Sequence, residues 1–211
     1  MARGKAPTFE VQRATILAEA ARLFAMRSFP NASMAELAKA CGVSKPLLYH
    51  YYRDKEHILF DIADSYMDQL LDIVAGVKAA ALAPQPHLEA LLTRFMDEYG
   101  HSQHRHMVLV QDVKFLQAEQ AEQVTAKQRR VVAAFAEAVE RVEPGLRRRH
   151  LDKPVAMILF GMINWTFTWL RADGRFTHAD MAPVVCRIVL EGIRGLVDKD
   201  VMKHKEKSPA H

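Results

Sequence analysis

The chain has 211 residues, 50% hydrophobic and 26% charged, with nine Gly, nine Pro and two Cys, which excludes a fibrous, a disordered or a disulfide-built protein. The net charge of +4 is unevenly placed. Residues 1–56 hold nine Lys/Arg against five Asp/Glu, while the remainder holds twenty of each. A basic first quarter on a neutral body suits contact with a polyanion there and another task elsewhere, although +4 over 56 residues is also common on a solvated surface.

The opening residues, MARGKAPTFEVQ, have no apolar signal core, and Cys41 and Cys186 form no disulfide framework, so the expected compartment is the cytoplasm. Residues 154–170 are the best membrane candidate, but Asn164, Thr166 and Thr168 and their short length favour a buried helix. No stretch alternates apolar and polar residues as a half-buried strand would. The sequence therefore predicts an all-α chain of about nine helices.

In chain order, a first helix over 9–27 carries Ile16, Leu17, Ala20, Ala21 and Phe24 on one stripe and stops at Phe29-Pro30-Asn31. Ser33-Met34-Ala35-Glu36 has the form of a capping box and opens a short helix that Gly42 ends. Ser44 caps a third helix, with Pro46 in a first turn that needs no N–H there. Asp54 caps a fourth, whose rows Ile58-Ile62-Tyr66-Leu70 and Leu59-Ala63-Met67-Leu71 continue to about Lys78. Beyond the linker Ala83-Pro84-Gln85-Pro86, helices fit 87–100, 104–118, 120–142, 152–171 and 178–197, with breaks at Pro144-Gly145 and Ala172-Asp173-Gly174. The expected organisation is a small basic domain over 1–56, a larger helical domain over 57–200, and a polar tail over 201–211.

The informative stretch is SMAELAKACGVSKPLLYHYYRDK, Ser33 to Lys55. Two short helices joined at Cys41-Gly42-Val43 read as a helix-turn-helix, with Leu37, Val43 and Leu48 as the inner seam. In such a motif the second helix enters the major groove and its N-terminal residues face base edges, here Lys45, Pro46 and Leu47. Tyr49, His50, Tyr51 and Tyr52 follow, and phenol or imidazole groups can hold phosphates and set register. Tyr52 fits better as a wedge against the first helix, Tyr49 as a phosphate contact. Lys55 lies in the first turn of the fourth helix, where backbone N–H groups already favour an anion.

AELAKACGVSKPLLYHYYRDKEHIL resembles the N-terminal signature of the tetracycline-repressor (TetR/AcrR) family of transcriptional regulators, a match that runs over roughly residues 9–60. The resemblance implies a three-helix DNA-binding domain, a connecting helix and a helical body that dimerises and holds an effector. It assigns Ser33 and Ser44 to the caps, Lys45, Pro46 and Leu47 to bases, and Tyr49, His50 and Lys55 to phosphates. Pro46 and Leu47 stand where the family more often has Gly and a polar residue, and two apolar side chains favour thymine methyls. Residues 152–171 are apolar on nearly every face, and Met181, Val184, Val185, Ile188, Val189, Ile193 and Leu196 follow in the last helix. The resemblance pairs these two helices with their copies in a homodimer that reads a palindromic double-stranded operator; one large monomer core is the alternative.

GMINWTFTWLRADG is further similar to a subgroup whose effectors are acyl-coenzyme A thioesters. Trp165 and Trp169, i and i+4 on one helix face, with Met162, would line a pocket faced by Phe95, Met107, Val110 and Phe115. Arg94, Arg105, Lys114, Arg129 and Arg130 would supply cations at its mouth. Core or dimer packing is the competing reading for each of these apolar side chains.

His101, His104 and His106, with His57 further off, lack a carboxylate or Cys at a partnering spacing, so no metal or cofactor is expected and a metal-responsive regulator stands only as an alternative. Cys41 reads as turn packing rather than a redox switch, and Arg147-Arg148-Arg149 as a solvated loop. There is no G-x-S-x-G, phosphate loop or paired acidic motif, which leaves an enzyme without a nucleophile or base. A nucleic-acid-binding structural or adaptor protein without an effector is the better rival.

Overall fold

The computed structural model describes residues 5–171 and 173–198. Ten α-helices and no strand occur among them: α1 (Lys5–Arg27), α2 (Met34–Ala40), α3 (Lys45–Tyr51), α4 (Lys55–Ala79), α5 (Pro84–His101), α6 (Gln103–Gln111), α7 (Ala118–Val142), α8 (Gly145–Arg148), α9 (Asp152–Asn164) and α10 (His178–Asp198). The tail expected over 201–211 lies outside the described residues.

The chain divides into two compact units. The first holds residues up to Asp72 together with His101–Arg129, the second Ile73–Gly100 with residues from Arg130 onward. In the first, α1 buries Ile16, Ala20, Ala21 and Phe24, and α6 packs along α1. The α1 end is made by Ser28, whose left-handed φ of 68° turns the chain while its N–H still bonds Phe24 O. The capping box of α2 is complete: Ser33 Oγ accepts from Glu36 N–H, and Ser33 N–H donates to Glu36 Oε2 at 3.0 Å. Gly42, at φ +64°, makes the turn a Cβ would strain. Ser44 Oγ caps α3 at Leu47 N–H, and Asp54 Oδ1 caps α4 at His57 N–H.

In the second unit α5 buries Leu88, Leu91, Leu92, Phe95, Met96 and Tyr99. Phe95, Phe135 and Phe160 meet edge to face, with centroids 4.8 Å apart for the first pair and 4.7 Å for Phe135–Phe160. Tyr99 OH donates to Asn164 Oδ1 at 2.9 Å. Burial pushes this phenol's pKa upward, so it stays a donor.

Four sequence expectations need correction. The expected linker Pro84-Gln85-Pro86 is the first turn of α5, where proline gives up only N–H groups that have no helical partner. The helix expected over 104–118 stops at Gln111 and continues as a 3-10 turn, Val113–Phe115. The helix expected over 152–171 stops at Asn164, and a 3-10 turn covers Trp165–Thr168. There Thr166 Oγ1 donates to Ile163 O and Thr168 Oγ1 to Trp165 O, competing for carbonyls that a longer helix would use. The break at Pro144-Gly145 contains the one-turn helix α8.

Candidate functional site

The helix-turn-helix is α2, the turn through Gly42, and α3. Leu37 and Leu48 are fully buried and Val43 is half-buried. That seam turns the other side of α3 outward. Ser44, Lys45, Pro46, Leu47, Tyr49 and His50 are all exposed, Leu47 at 41% and Tyr49 at 46%. Leu47 thus stays open to water beside the fully buried Leu48. Lys45 Nζ lies 5.9 Å from the Tyr49 ring centroid, so cation and phenol present one surface. Ser33 is exposed as well, but its hydroxyl also donates to Glu36 Oε2, inside the capping box.

Lys55 departs from the expectation. Its ammonium donates to the carbonyls of Phe29, Pro30 and Ala32 at 3.1, 3.1 and 3.0 Å, and sits 4.5 Å over the Phe29 ring. Three N–H donors thus meet three backbone carbonyls around the 3-10 turn, of which Phe29 O also accepts from Ala32 N–H. Lys55 pins the α1–α2 loop to the start of α4 and has no donor left for phosphate. Tyr52 is the wedge expected of it, 2% exposed, but with a partner that no local pattern signals. Its hydroxyl donates to Asp61 Oδ2 at 2.5 Å, and Arg13 Nη2 reaches both oxygens of that carboxylate at 2.6 and 2.8 Å. Burial first, and then the Asp61 charge, drive the Tyr52 pKa upward, so it remains a neutral donor. Tyr51 stacks on Phe9, rings 4.7 Å apart. The Cys41 thiol is pushed up to about 11 by burial and by Glu19, which leaves it protonated at neutral pH and poorly reactive.

The eight effector candidates divide between the units. Met107, Val110, Lys114 and Phe115 belong to the first, Phe95, Met162, Trp165 and Trp169 to the second. Phe115 stacks on Phe29 at 5.5 Å, because the chain leaves helical geometry after Gln111. Phe95 is fully buried in the aromatic cluster. Met107 is half-buried, and Val110 and Lys114 are exposed. Trp165 and Trp169 are 64% and 51% exposed, and the 3-10 turn breaks the shared helix face the i, i+4 spacing suggested. Of the mouth cations, Arg105 donates to Gln69 and Ser65, and Arg129 to Glu122. Arg94, Lys114 and Arg130 are exposed.

Two open grooves lie in the second unit. One, of about 480 Å³, runs between α5 and α10 and mixes Glu89 and Glu191 with Arg187 and Arg194. The other, of about 200 Å³, runs between α9 and α10 and is apolar throughout, lined by Val155, Ile158, Leu159, Met162, Ile188, Val189, Gly192, Ile193 and Leu196. Beside it Met157, Ile158, Val184 and Ile188 are exposed. Among the described residues no three His, Cys, Asp or Glu gather as a metal site; His106 is buried edge-on to Tyr66, whereas His101 and His104 are exposed. No helix of the described residues is long and apolar enough to cross a membrane.

Comparison with known proteins matches two stretches of the chain. Residues 16–62 match the model of bacterial regulatory proteins of the tetR family, and residues 81–193 a tetracyclin repressor-like C-terminal domain. The transcriptional repressor KstR2 of Rhodococcus jostii is 26% identical over 187 residues, 86% of this chain and 91% of that one. A TetR-family transcriptional regulator from Bordetella parapertussis superposes with a TM-score of 0.81 at 32% identity, covering 87% of this chain and 96% of the other. AibR in complex with isovaleryl coenzyme A and operator DNA has the same fold, with a TM-score of 0.73 at 24% identity over 84% of this chain and 97% of that one. An exposed α3 on a helix-turn-helix, followed by a helical body that its own family model recognises, makes this chain a member of the TetR family, a DNA-binding transcriptional regulator and not an enzyme.

Proposed function

We propose that the protein is a cytoplasmic homodimeric repressor that holds a palindromic operator and is released from it by an acyl-coenzyme A thioester. The observation that carries the DNA reading is the outward row Lys45, Pro46, Leu47, Tyr49 and His50 beside the buried Leu48. Lys45, Pro46 and Leu47 contact base edges, while Ser44, Tyr49 and His50, with Ser33 at the preceding cap, contact phosphates. Lys55 supports this surface indirectly by fixing the loop before α2.

Dimerisation through α9 and α10 rests on their unpartnered apolar groove and on three glycines. A Cβ added to Gly161, Gly192 or Gly195 would meet nothing within 4 Å. Glycine inside a helix costs about 1 kcal/mol relative to alanine, and no contact within the chain requires it. A second copy of the helix pair crossing closely there would. Two copies place the α3 helices on half-sites about one helical turn, ~34–36 Å, apart.

The effector class rests on the GMINWTFTWLRADG resemblance and on the kind of ligand bound by AibR, a neighbour in fold. KstR2, whose name marks a repressor, supports repression. Val110, Lys114, Phe115, Trp165 and Trp169 are the effector candidates with exposed surface, and Met107 and Met162 are partly open. Binding that favours one dimer arrangement by ~1–3 kcal/mol suffices for a useful switch. Fluorescence anisotropy on a labelled operator tests this. Aromatic or medium-to-long-chain acyl-coenzyme A esters should release the DNA, free coenzyme A should do so poorly, and Trp165→Ala should blunt release while keeping operator affinity. A panel of saturating esters that leaves the complex intact refutes the effector class.

A further inference from the structure

One carboxylate in the first unit joins three helices. Arg13 of α1 and Tyr52, the residue that ends α3, both donate to Asp61 of α4. The Asp61 side chain is 16% exposed and Tyr52 2%, so water competes little for the Tyr52–Asp61 bond, while Arg13, 38% exposed, closes the carboxylate from the solvent side. Tyr52 N–H closes the last turn of α3 on Leu48 O at 3.0 Å, which makes its side chain an anchor rigidly attached to that helix.

The α3 helix has seven residues, about 10 Å of length. Its N-terminal end is located by the turn through Gly42 and by Leu48, and its far end by Tyr52 and by Tyr51 on Phe9. A tilt of about 10° about one end would carry the other about 1–2 Å, beyond the ~0.5 Å tolerance of a well-placed contact. Apolar packing of Leu48 alone is non-directional and leaves such a tilt cheap. The hydrogen-bonded carboxylate is directional and fixes it.

We propose that Asp61 is a positioning residue for DNA reading: through Tyr52 and Arg13 it sets the angle at which α3 presents Lys45, Pro46 and Leu47 to the bases. The proposal rests on the assignment of α3 as the recognition helix. Asp61 touches no DNA itself, so its removal should degrade discrimination between sequences more than general attraction to DNA. Phosphate-driven binding depends on charge near the duplex and tolerates a small tilt; base contacts do not.

Operators selected from random duplex DNA by the wild-type dimer provide the substrate. Affinities for that operator and for a scrambled duplex are then measured across a salt series for wild type, Tyr52→Phe and Asp61→Asn, with thermal unfolding alongside. Tyr52→Phe removes a single hydroxyl and keeps the ring, so it is the variant least prone to misfold. We expect both variants to lower the ratio of specific to non-specific affinity about tenfold, with the non-specific affinity and its salt slope kept. Tyr52→Phe introduced into Asp61→Ala should add nothing further, because both act through one carboxylate. A wild-type ratio in Tyr52→Phe overturns the inference, as does a parallel loss of both affinities that follows a lowered Tm. A wild-type protein that prefers no sequence overturns the recognition reading itself, and this inference with it.

Discussion

Both units bury an apolar core, and they differ in what is added to it. In the first, short helices are fastened by directional polar ties: the α2 capping box, Lys55 on three carbonyls, Arg13 and Tyr52 on Asp61, and Lys127 on Asp64 and Asp68 of α4 at 2.6 Å each. In the second, the centre is the aromatic cluster Phe95, Phe135 and Phe160, and the surface keeps an apolar groove between α9 and α10. A unit that must present side chains at fixed angles needs directional bonds, since two-turn helices bury too little to orient themselves. A unit that assembles with a copy of itself can leave apolar surface unfinished.

That contrast can be broken from several sides, the largest effect first. Phe135→Ala should cost ~3–5 kcal/mol in denaturant unfolding, since Phe135 is fully buried and contacts two other rings. A loss under 1 kcal/mol would mean the cluster is not the centre of this unit. Ile188→Glu, at 57% exposure in the described chain, should weaken dimerisation by about a hundredfold or more in sedimentation while leaving each protomer folded. An unchanged dimer would move the interface away from α10. Lys55→Ala should lower stability by about 2 kcal/mol, because three carbonyls lose a charged donor, yet leave the salt slope of DNA binding within error. A slope reduced by about one, with stability kept, would restore Lys55 to the phosphates. Leu47→Ala should cost about 1 kcal/mol on the selected operator and less on variants lacking the contacted thymine, read by competition binding. Uniform loss on all sequences would show that Leu47 is not read against a base. The smallest effect concerns the thiols. With Cys41 and Cys186 both pushed up to about 11 by burial, alkylation by iodoacetamide at pH 8 should be slow in the folded protein. Rapid labelling of Cys41 would reopen a redox role for the turn.

The contrast also explains what could be read from the sequence. Capping residues act within three positions, so Ser33, Ser44 and Asp54 announced the starts of α2, α3 and α4, and Gly42 its turn. Leu48 inward followed from the apolar seam it makes with Leu37 and Val43, and Leu47 outward from the helix-turn-helix pattern. Lys55 and Asp61 did not. The partners of Lys55 lie 23 to 26 residues away and those of Asp61 9 and 48, and nothing local to a lone Lys or Asp says whether it will meet carbonyls, a phosphate, a Tyr or an Arg. The ends of α6 and α9 were missed because apolar residues continue past Gln111 and Asn164, while hydroxyl groups and local turns decide where the backbone leaves the helix. The i, i+4 spacing of Trp165 and Trp169 misled for that reason.

Selection of operators from random duplex DNA by the purified protein, sequenced after enrichment, tests the central claim most directly. A dimer reading DNA through α3 should enrich an inverted repeat whose half-sites lie one helical turn, or a multiple of it, apart. Enrichment of no sequence, or of a single unrepeated half-site by a protein that remains dimeric, would contradict the account.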